Sequence, residues 1–128
     1  MKYLLDAHTF LWATSDDRRL SGTASEIFTN RSNELFLSAA GVWEVMIKAQ
    51  IGKLPLPLPV ASYLKRQLAL NRIQVLPIGF EHIVRIEQLP LHHRDPFDRI
   101  LVAQSIEEKM PIVSADPVLR RYPVKVVW

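Results

Sequence analysis

The sequence predicts a three-layer α/β/α domain built on a mainly parallel five-stranded sheet. Two observations carry this prediction: short apolar runs recur along the chain, and segments with helical spacing of apolar residues separate them. Strands buried on both faces read as continuous apolar runs, and helical connections between them favour parallel pairing. A chain of 128 residues with 48% hydrophobic content fits one such domain over residues 1–128.

Each predicted element rests on a local pattern. Apolar runs mark the strands, and Ser21, Ser38 and Asp95 stand where helix N-caps are expected. Pro96 suits a first helical turn, and Pro90 ends the helix before it. The predicted strands are residues 3–5, 35–37, 73–78, 112–113 and 125–127. The predicted helices are residues 9–13, 21–30, 39–50, 60–70, 80–89 and 96–109, with a short helical turn at 117–122.

The segment 53–59 reads Lys-Leu-Pro-Leu-Pro-Leu-Pro. It is not expected to form regular structure, because alternate prolines fix φ and remove amide donors. We expect a loop inside one domain, since a boundary here would leave halves of only about 60 residues each. Its apolar side chains leave two alternatives open, a groove for a partner or packing beneath the loop. These side chains are Leu54, Leu56, Leu58 and Val60.

Composition excludes several classes of protein. The chain has no cysteine, which excludes a disulfide scaffold, thiolate zinc sites and a cysteine nucleophile. No apolar run approaches the roughly 18 residues of a membrane span, and Asp6 interrupts the N-terminal apolar stretch too early for a signal peptide. We therefore expect a cytoplasmic protein without membrane contact. The net charge of +3 permits a nucleic-acid partner without requiring one.

Two carboxylates lie just after predicted strands. Asp6 follows the first strand directly, and Asp116 follows the fourth after Ser114 and Ala115. In parallel α/β sheets, ligands bind beyond the carboxyl ends of the strands. Each residue could equally cap the helix or turn that follows it. For either residue alone, the functional and the capping interpretation both stay open.

Two further carboxylates lie inside predicted helices. Glu44 stands in an apolar run, so we expect it to be buried, with a functional role or an ion pair with Lys48 as alternatives. Asp98 shares a helix face with apolar residues, although a first-turn acid is also favoured by the helix dipole. If the strand-end and helix acids meet, they repel one another, and a hard divalent cation relieves that repulsion. Such a site supports phosphodiester hydrolysis.

Other side chains near these acids have ordinary explanations. No histidine pair has the spacing of a zinc site with a third ligand, so metal ligation by histidine is not expected. Arg99 can pair with Asp95 one turn earlier or clamp a phosphate, and both alternatives stay open. Trp12 and Trp43 are expected to pack at the core or its rim rather than to stack on bases.

Three motifs share their order and spacing with one protein family. They read Asp6-Ala7-His8-Thr9-Phe10-Leu11-Trp12, Leu37-Ser38-Ala39-Ala40-Gly41-Val42-Trp43-Glu44 and His92-His93-Arg94-Asp95-Pro96-Phe97-Asp98-Arg99. The chain resembles PIN-domain ribonucleases, and within them the VapC-type toxins of bacterial toxin–antitoxin pairs. The resemblance runs from residue 1 to residue 128, and the stretch 95–104 is its most specific part.

The resemblance implies a parallel α/β/α fold and RNA cleavage that depends on Mg²⁺ or Mn²⁺. It also implies an antitoxin that covers the acidic site, and a homodimer. The catalytic and metal-binding quartet falls on Asp6, Glu44, Asp98 and Asp116. Candidates for a supporting role or an RNA contact are Asp95, Ser114 and Arg99.

The chain departs from the family pattern at two positions near the acids. Gly41 stands where many relatives have serine, and Ser114 where many have threonine, so a water or phosphate contact there is expected to be weaker. Two rival functions are weighed. A phosphoacceptor receiver domain would need paired acids after the first strand, yet Ala7 follows Asp6. A catalytically silent PIN-like binding module would be expected to lose acids, and metal titration separates it from a nuclease.

Overall fold

Five parallel strands form one sheet in the computed structural model, which describes residues 1–128. The strands are β1 (Lys2–Leu5), β2 (Glu34–Ser38), β3 (Ile73–Leu76), β4 (Ile112–Val113) and β5 (Val126–Val127). They lie in the order β3-β2-β1-β4-β5, and every neighbouring pair is parallel. The predicted parallel five-stranded sheet is confirmed.

Helices cover both faces of the sheet. Leu4 and Leu5 of β1 belong to two different apolar clusters, because successive side chains of a strand point to opposite faces. Both faces are therefore buried, which confirms the three-layer arrangement. None of the helices has the length and apolar character needed to span a membrane. The helices are α1 (Ala7–Thr14), α2 (Gly22–Thr29), α3 (Ala39–Gln50), α4 (Val60–Leu70), α5 (Phe80–Ile86) and α6 (Pro96–Glu108), followed by a 3₁₀ turn at Pro117–Arg121.

Side-chain caps fix where most site-bearing helices begin. The side chain of Ser38 accepts a hydrogen bond from the amide of Ala40 at the start of α3 (3.1 Å), and that of Asp95 accepts from Phe97 at the start of α6 (2.9 Å). At its other end α6 stops at Lys109, whose φ of 55° is left-handed. The predicted caps are confirmed.

Two predicted elements end two or more residues earlier than the sequence suggests. The third strand ends at Leu76 rather than residue 78, because Pro77 has no amide donor and its carbonyl accepts from Gln104 (3.2 Å). Helix α5 ends at Ile86 rather than residue 89. The amides of the next three residues donate hydrogen bonds to carbonyls only three residues earlier. This 3₁₀ pattern tightens the chain before Pro90.

The proline-rich segment is a loop between α3 and α4, as predicted. Leu54, Leu56 and Val60 pack against the apolar cluster on one face of the sheet, whereas Leu58 is 85% exposed. Leu54 and Leu56 also border an open groove of about 600 Å³ beside α1 and α3. The packing alternative is confirmed for Leu54, Leu56 and Val60, and a partner in the groove stays a prediction.

Candidate functional site

The first part of the site lies between β1 and β4, where the order in which strands are added to the sheet reverses. Strands β2 and β3 are added on one side of β1, and β4 and β5 on the other. The ends of β1 and β4 therefore form the switch point at which open α/β sheets bind ligands. Asp6 follows β1, and Asp116 follows β4 by three residues. Topology alone brings these two acids to the same edge.

One buried hydroxyl connects the two strand-end acids. Ser114 is fully buried, and its hydroxyl donates a short hydrogen bond to Oδ2 of Asp6. The same hydroxyl oxygen accepts from the amide of Asp116 at 3.0 Å. Ser114 thus contacts both acids, and its predicted supporting role in function stays a prediction.

Both strand-end acids are also helix caps. Oδ1 of Asp6 accepts from the amide of Thr9 (2.7 Å), and Oδ1 of Asp116 accepts from Val118 (3.0 Å). The capping alternative is confirmed for each residue, and it does not compete with a functional role. A carboxylate capped by backbone amides is held in one orientation, with lone pairs left for another ligand.

The two acids on helices, Glu44 and Asp98, lie at the same edge of the sheet. Glu44 of α3 and Asp98 of α6 line a small cavity of about 20 Å³ together with Asp6. Asp6 also lines an adjoining cavity of about 280 Å³ with Asp116 and His8. The structure therefore brings three of the predicted acids around one cavity and joins Asp116 to them through Asp6.

Glu44 is less buried than the sequence predicts. Its side chain remains 20% exposed and forms an ion pair with Nζ of Lys48 one turn later (3.1 Å). The neighbouring Trp43 is 62% exposed and rests edge-on against Phe97, so an apolar run in α3 does not mean a buried helix. The ion-pair alternative for Glu44 is confirmed.

Asp98 has the most perturbed carboxyl group of the site. Burial raises its pKa above the ordinary value, and the negative charges of Asp95 and Asp116 raise it further. A hydrogen bond from Nε2 of His93 to Oδ2 (3.1 Å) opposes this shift. The effect of Asp116 on the pKa of Asp98 shows that the strand-end and helix acids share one electrostatic environment.

Asp95 and Arg99 do not line either of these cavities. Asp95 is an exposed cap of α6, which separates its structural role from that of Asp98. The predicted ion pair between Arg99 and Asp95 is wrong. The chain before α6 folds back, so Arg99 donates instead to the carbonyl of Pro90 (2.9 Å) and the hydroxyl of Tyr122 (3.1 Å). An RNA contact by Arg99 stays a prediction.

Sequence reasoning missed two residues beside Asp98. His93 bonds Asp98 through Nε2 and the hydroxyl of Tyr122 through Nδ1 (2.7 Å). The rings of His92 and His93 both pack against the ring of Tyr122. No sequence spacing signals these contacts, because Tyr122 lies 29 residues beyond His93. His92 and His93 both contact protein groups here. That histidine does not bind metal stays a prediction.

The donor chemistry of the site fits a hard divalent cation. Glu44, Asp98 and Asp116 each keep one carboxylate oxygen without a protein hydrogen bond. In this conformation, no group of three acidic or histidine side chains is close enough to hold one ion. A cation bound by three of these side chains would therefore require one of them to reorient its carboxylate.

Gly41 lines this cavity and packs closely against Leu37. A Cβ atom at Gly41 would lie 3.0 Å from Cδ1 of the fully buried Leu37. A serine here would require that leucine to shift. Glycine at this position therefore avoids a tight contact with Leu37.

Comparison with known proteins places the chain in a family. Residues 3–125 match the family model described as the PIN domain. The chain is 33% identical to Ribonuclease VapC22 of Mycobacterium tuberculosis over 131 residues, which cover 98% of this chain and 97% of that protein. It is also 40% identical to Ribonuclease VapC16 of the same organism over 50 residues, or 39% of this chain and 34% of the relative.

Solved structures show the same fold. VapBC2 from Rickettsia felis, bound to a promoter DNA fragment, matches with a TM-score of 0.73 and 12% identity over 99% of this chain and 98% of that one. DNA-bound VapBC from Salmonella typhimurium matches with a TM-score of 0.72 and 15% identity over 99% and 97%. At these identities the likeness establishes the fold alone. The family model and the VapC22 alignment together establish that the chain belongs to the PIN-domain family, in its VapC branch.

Proposed function

We propose that this protein is the toxin of a bacterial toxin–antitoxin pair, a divalent-metal-dependent endoribonuclease that acts in the cytoplasm. The observation that carries the proposal is the convergence of Asp6, Glu44 and Asp98 on one cavity, with Asp116 beside it. The names of the VapC relatives support ribonuclease activity. The oxygen-only donor set supports Mg²⁺ or Mn²⁺ as the cofactor.

The chain's own residues have two tasks in this reaction. Asp6 and Asp116, held by Ser114 and by backbone amides, provide a fixed pair of carboxylates. Glu44 and Asp98 complete the anionic site and orient an attacking water. A bound divalent cation would activate this water and neutralise charge on the scissile phosphate. Because external water attacks, we expect 5′-phosphate and 3′-hydroxyl ends and no covalent enzyme intermediate.

The surface beside the acids suits an RNA strand. Lys48, Lys53 and Arg19 line the groove of about 600 Å³ that reaches Glu44. Lys48 pairs there with Glu44 and Arg19 with Asp17, and Lys53 has no ion pair. Cations along a groove attract a phosphate backbone towards the acids that would otherwise repel it. This arrangement supports single-stranded or looped RNA as the substrate.

We also propose an antitoxin partner and a homodimer. The structural neighbours are VapBC toxin–antitoxin proteins, and the apolar walls of the same groove, Leu54 and Leu56, suit a partner segment. Co-expression with the antitoxin followed by gel filtration tests the first proposal. Sedimentation equilibrium of the isolated chain tests the second, and a monomer at all concentrations contradicts it.

Cleavage of end-labelled RNA tests the proposed reaction. With Mg²⁺ or Mn²⁺ the wild-type protein should cut RNA and leave 5′-phosphate ends, and EDTA should stop it. Asp6→Asn should be inactive, because it keeps a capping oxygen but loses the charge. His92→Ala should retain most activity. Cleavage in EDTA, or 2′,3′-cyclic phosphate ends that disappear in His92→Ala, would contradict the assignment.

The alternative is a catalytically silent PIN-like binding module. Such a module should bind RNA or a protein partner without turnover. The retention of the complete acidic quartet favours the nuclease. Failure of the purified chain to cleave RNA with either metal, despite intact metal binding, would support the module instead.

A further inference from the structure

A chain of hydrogen bonds runs from Arg99 through Tyr122 and His93 to Asp98. The Nη1 group of Arg99 donates to the hydroxyl of Tyr122 (3.1 Å), that hydroxyl meets Nδ1 of His93 (2.7 Å), and Nε2 of His93 meets Oδ2 of Asp98 (3.1 Å). Arg99 is itself anchored on the carbonyl of Pro90 (2.9 Å). The chain of hydrogen bonds therefore joins α6 and the loop before it to the residue that ends the 3₁₀ turn.

The chemistry of the partners fixes the direction of these bonds. Arginine can only donate, so the oxygen of Tyr122 accepts from Arg99. Tyr122 is 3% exposed, and leaving its own O–H without a buried acceptor is costly. Nδ1 of His93 provides that acceptor and is therefore unprotonated. The ring proton of His93 then lies on Nε2 and is donated to the carboxylate of Asp98.

The hydrogen bond from His93 engages only one of the two carboxylate oxygens of Asp98. His93 occupies Oδ2, while Oδ1 accepts no hydrogen bond from the protein. The carboxylate is thus prevented from rotating freely, and Oδ1 is the oxygen that stays available. The ring that imposes this is held in place, because Tyr122 belongs to an apolar cluster of the core.

We propose that His93 is a positioning residue for Asp98, with Tyr122 and Arg99 fixing its ring orientation and tautomer. Its role is to present Oδ1 of Asp98 to a divalent cation. The inference rests on the proposed function, since it assigns this task to residues that support the proposed metal site. Histidine and tyrosine here act through Asp98 and contact neither metal nor RNA.

Manganese binding measured by electron paramagnetic resonance tests this role without relying on activity. His93→Leu should weaken Mn²⁺ binding by about 10–100-fold, the range typical of groups that orient a metal ligand. His93→Gln should restore most of the affinity, because its amide can donate to the same carboxylate. Tyr122→Phe should cause a smaller loss, since His93 keeps Asp98 but loses the group that fixes its ring. Tyr3→Phe, which removes a hydroxyl whose one hydrogen bond is to Met1, is the matched control.

Nitrogen NMR of His93 gives a second readout that needs no metal. The wild-type ring should carry its proton on Nε2, and Tyr122→Phe should give a mixture of tautomers. Protonation at Nδ1, or Mn²⁺ affinities of His93→Leu and Tyr122→Phe equal to that of Tyr3→Phe, would overturn the inference. Absence of Mn²⁺ binding by the wild type would overturn the proposed function itself, and this inference with it.

Discussion

The acidic site has two halves that are held in different ways. The strand-end half, Asp6 and Asp116, is fixed by backbone amides and a buried serine hydroxyl. The helix half, Glu44 and Asp98, is held by side chains, an ammonium and an imidazole. Backbone caps leave the charge of a carboxylate available, whereas Lys48 neutralises the charge of Glu44. The difference indicates a rigid pair that is ready for a cation and a second pair of mixed character. Glu44 must release Lys48 to join the site, whereas Asp98 keeps His93 and offers its other oxygen.

The largest effect should come from two aspartates with the same local structure. Asp95 and Asp116 each precede a proline and cap the following helical turn, but only Asp116 borders the site. Asp116→Asn should lower RNA cleavage by more than about 100-fold, the upper figure for groups that only support a ligand. Asp95→Asn should change the rate by less than about tenfold. Equal losses in a single-turnover assay would mean that both residues act only as caps.

The next largest effect should come from the serine that connects the strand-end acids. Ser114→Ala removes a buried donor to Asp6 and an acceptor for the amide of Asp116. We expect a loss of about 1–3 kcal/mol in the free energy of unfolding and about a 10–100-fold loss of activity. Urea unfolding and cleavage rates check both values. Ser21→Ala is the control, because it removes the cap of α2, a helix that carries none of the four site acids. Full activity in Ser114→Ala would show that the pair needs no such support.

Asp98→Asn should make the metal-free protein more stable. Burial and the charges of Asp95 and Asp116 raise the pKa of Asp98 in the folded chain. The contribution of Asp98 to stability is therefore fully present below its unfolded pKa of about 3.9 and is lost as pH rises through the folded value. In EDTA, the melting temperature of Asp98→Asn should exceed that of wild type at about pH 7 and match it below about pH 4. A variant less stable than wild type at neutral pH would assign Asp98 a structural role instead.

The smallest effect should come from the ammonium that pairs with Glu44. Lys48→Met should change the free energy of unfolding by only about 0.3–0.5 kcal/mol, because the pair is partly exposed. Mn²⁺ affinity should rise, since Glu44 no longer exchanges a bound ammonium for the cation. Lys65→Met, which removes an exposed charge on α4, controls for the change in net charge. Weaker Mn²⁺ binding by Lys48→Met would contradict the proposed exchange of partners.

Local sequence patterns predicted the features that depend on residues close together in the chain. Parallel strands, helix caps and the strand-end placement of Asp6 and Asp116 follow from short-range rules and from the topology they impose. The loop at 53–59 follows from the lack of amide donors in proline. The burial of Glu44 was predicted wrongly, because an apolar run does not reveal that Trp43 lies on an exposed face of α3.

The parts that sequence did not predict depend on distant contacts. Arg99 was expected to use its nearest acid, yet the fold brings the carbonyl of Pro90 and the hydroxyl of Tyr122 within reach. His93 meets Asp98 and Tyr122 only after α6 and the 3₁₀ turn have packed together. Such partners are set by tertiary structure, so periodicity and spacing cannot identify them.

The most direct test of the central claim is the position of Mn²⁺ located by anomalous scattering in crystals of the wild-type protein. We predict a single dominant peak at the ends of β1 and β4, bonded to oxygens of Asp6 and Asp116, with Asp98 presented through Oδ1 and Lys48 released from Glu44. A peak elsewhere on the protein, or no peak at saturating Mn²⁺, would contradict the account.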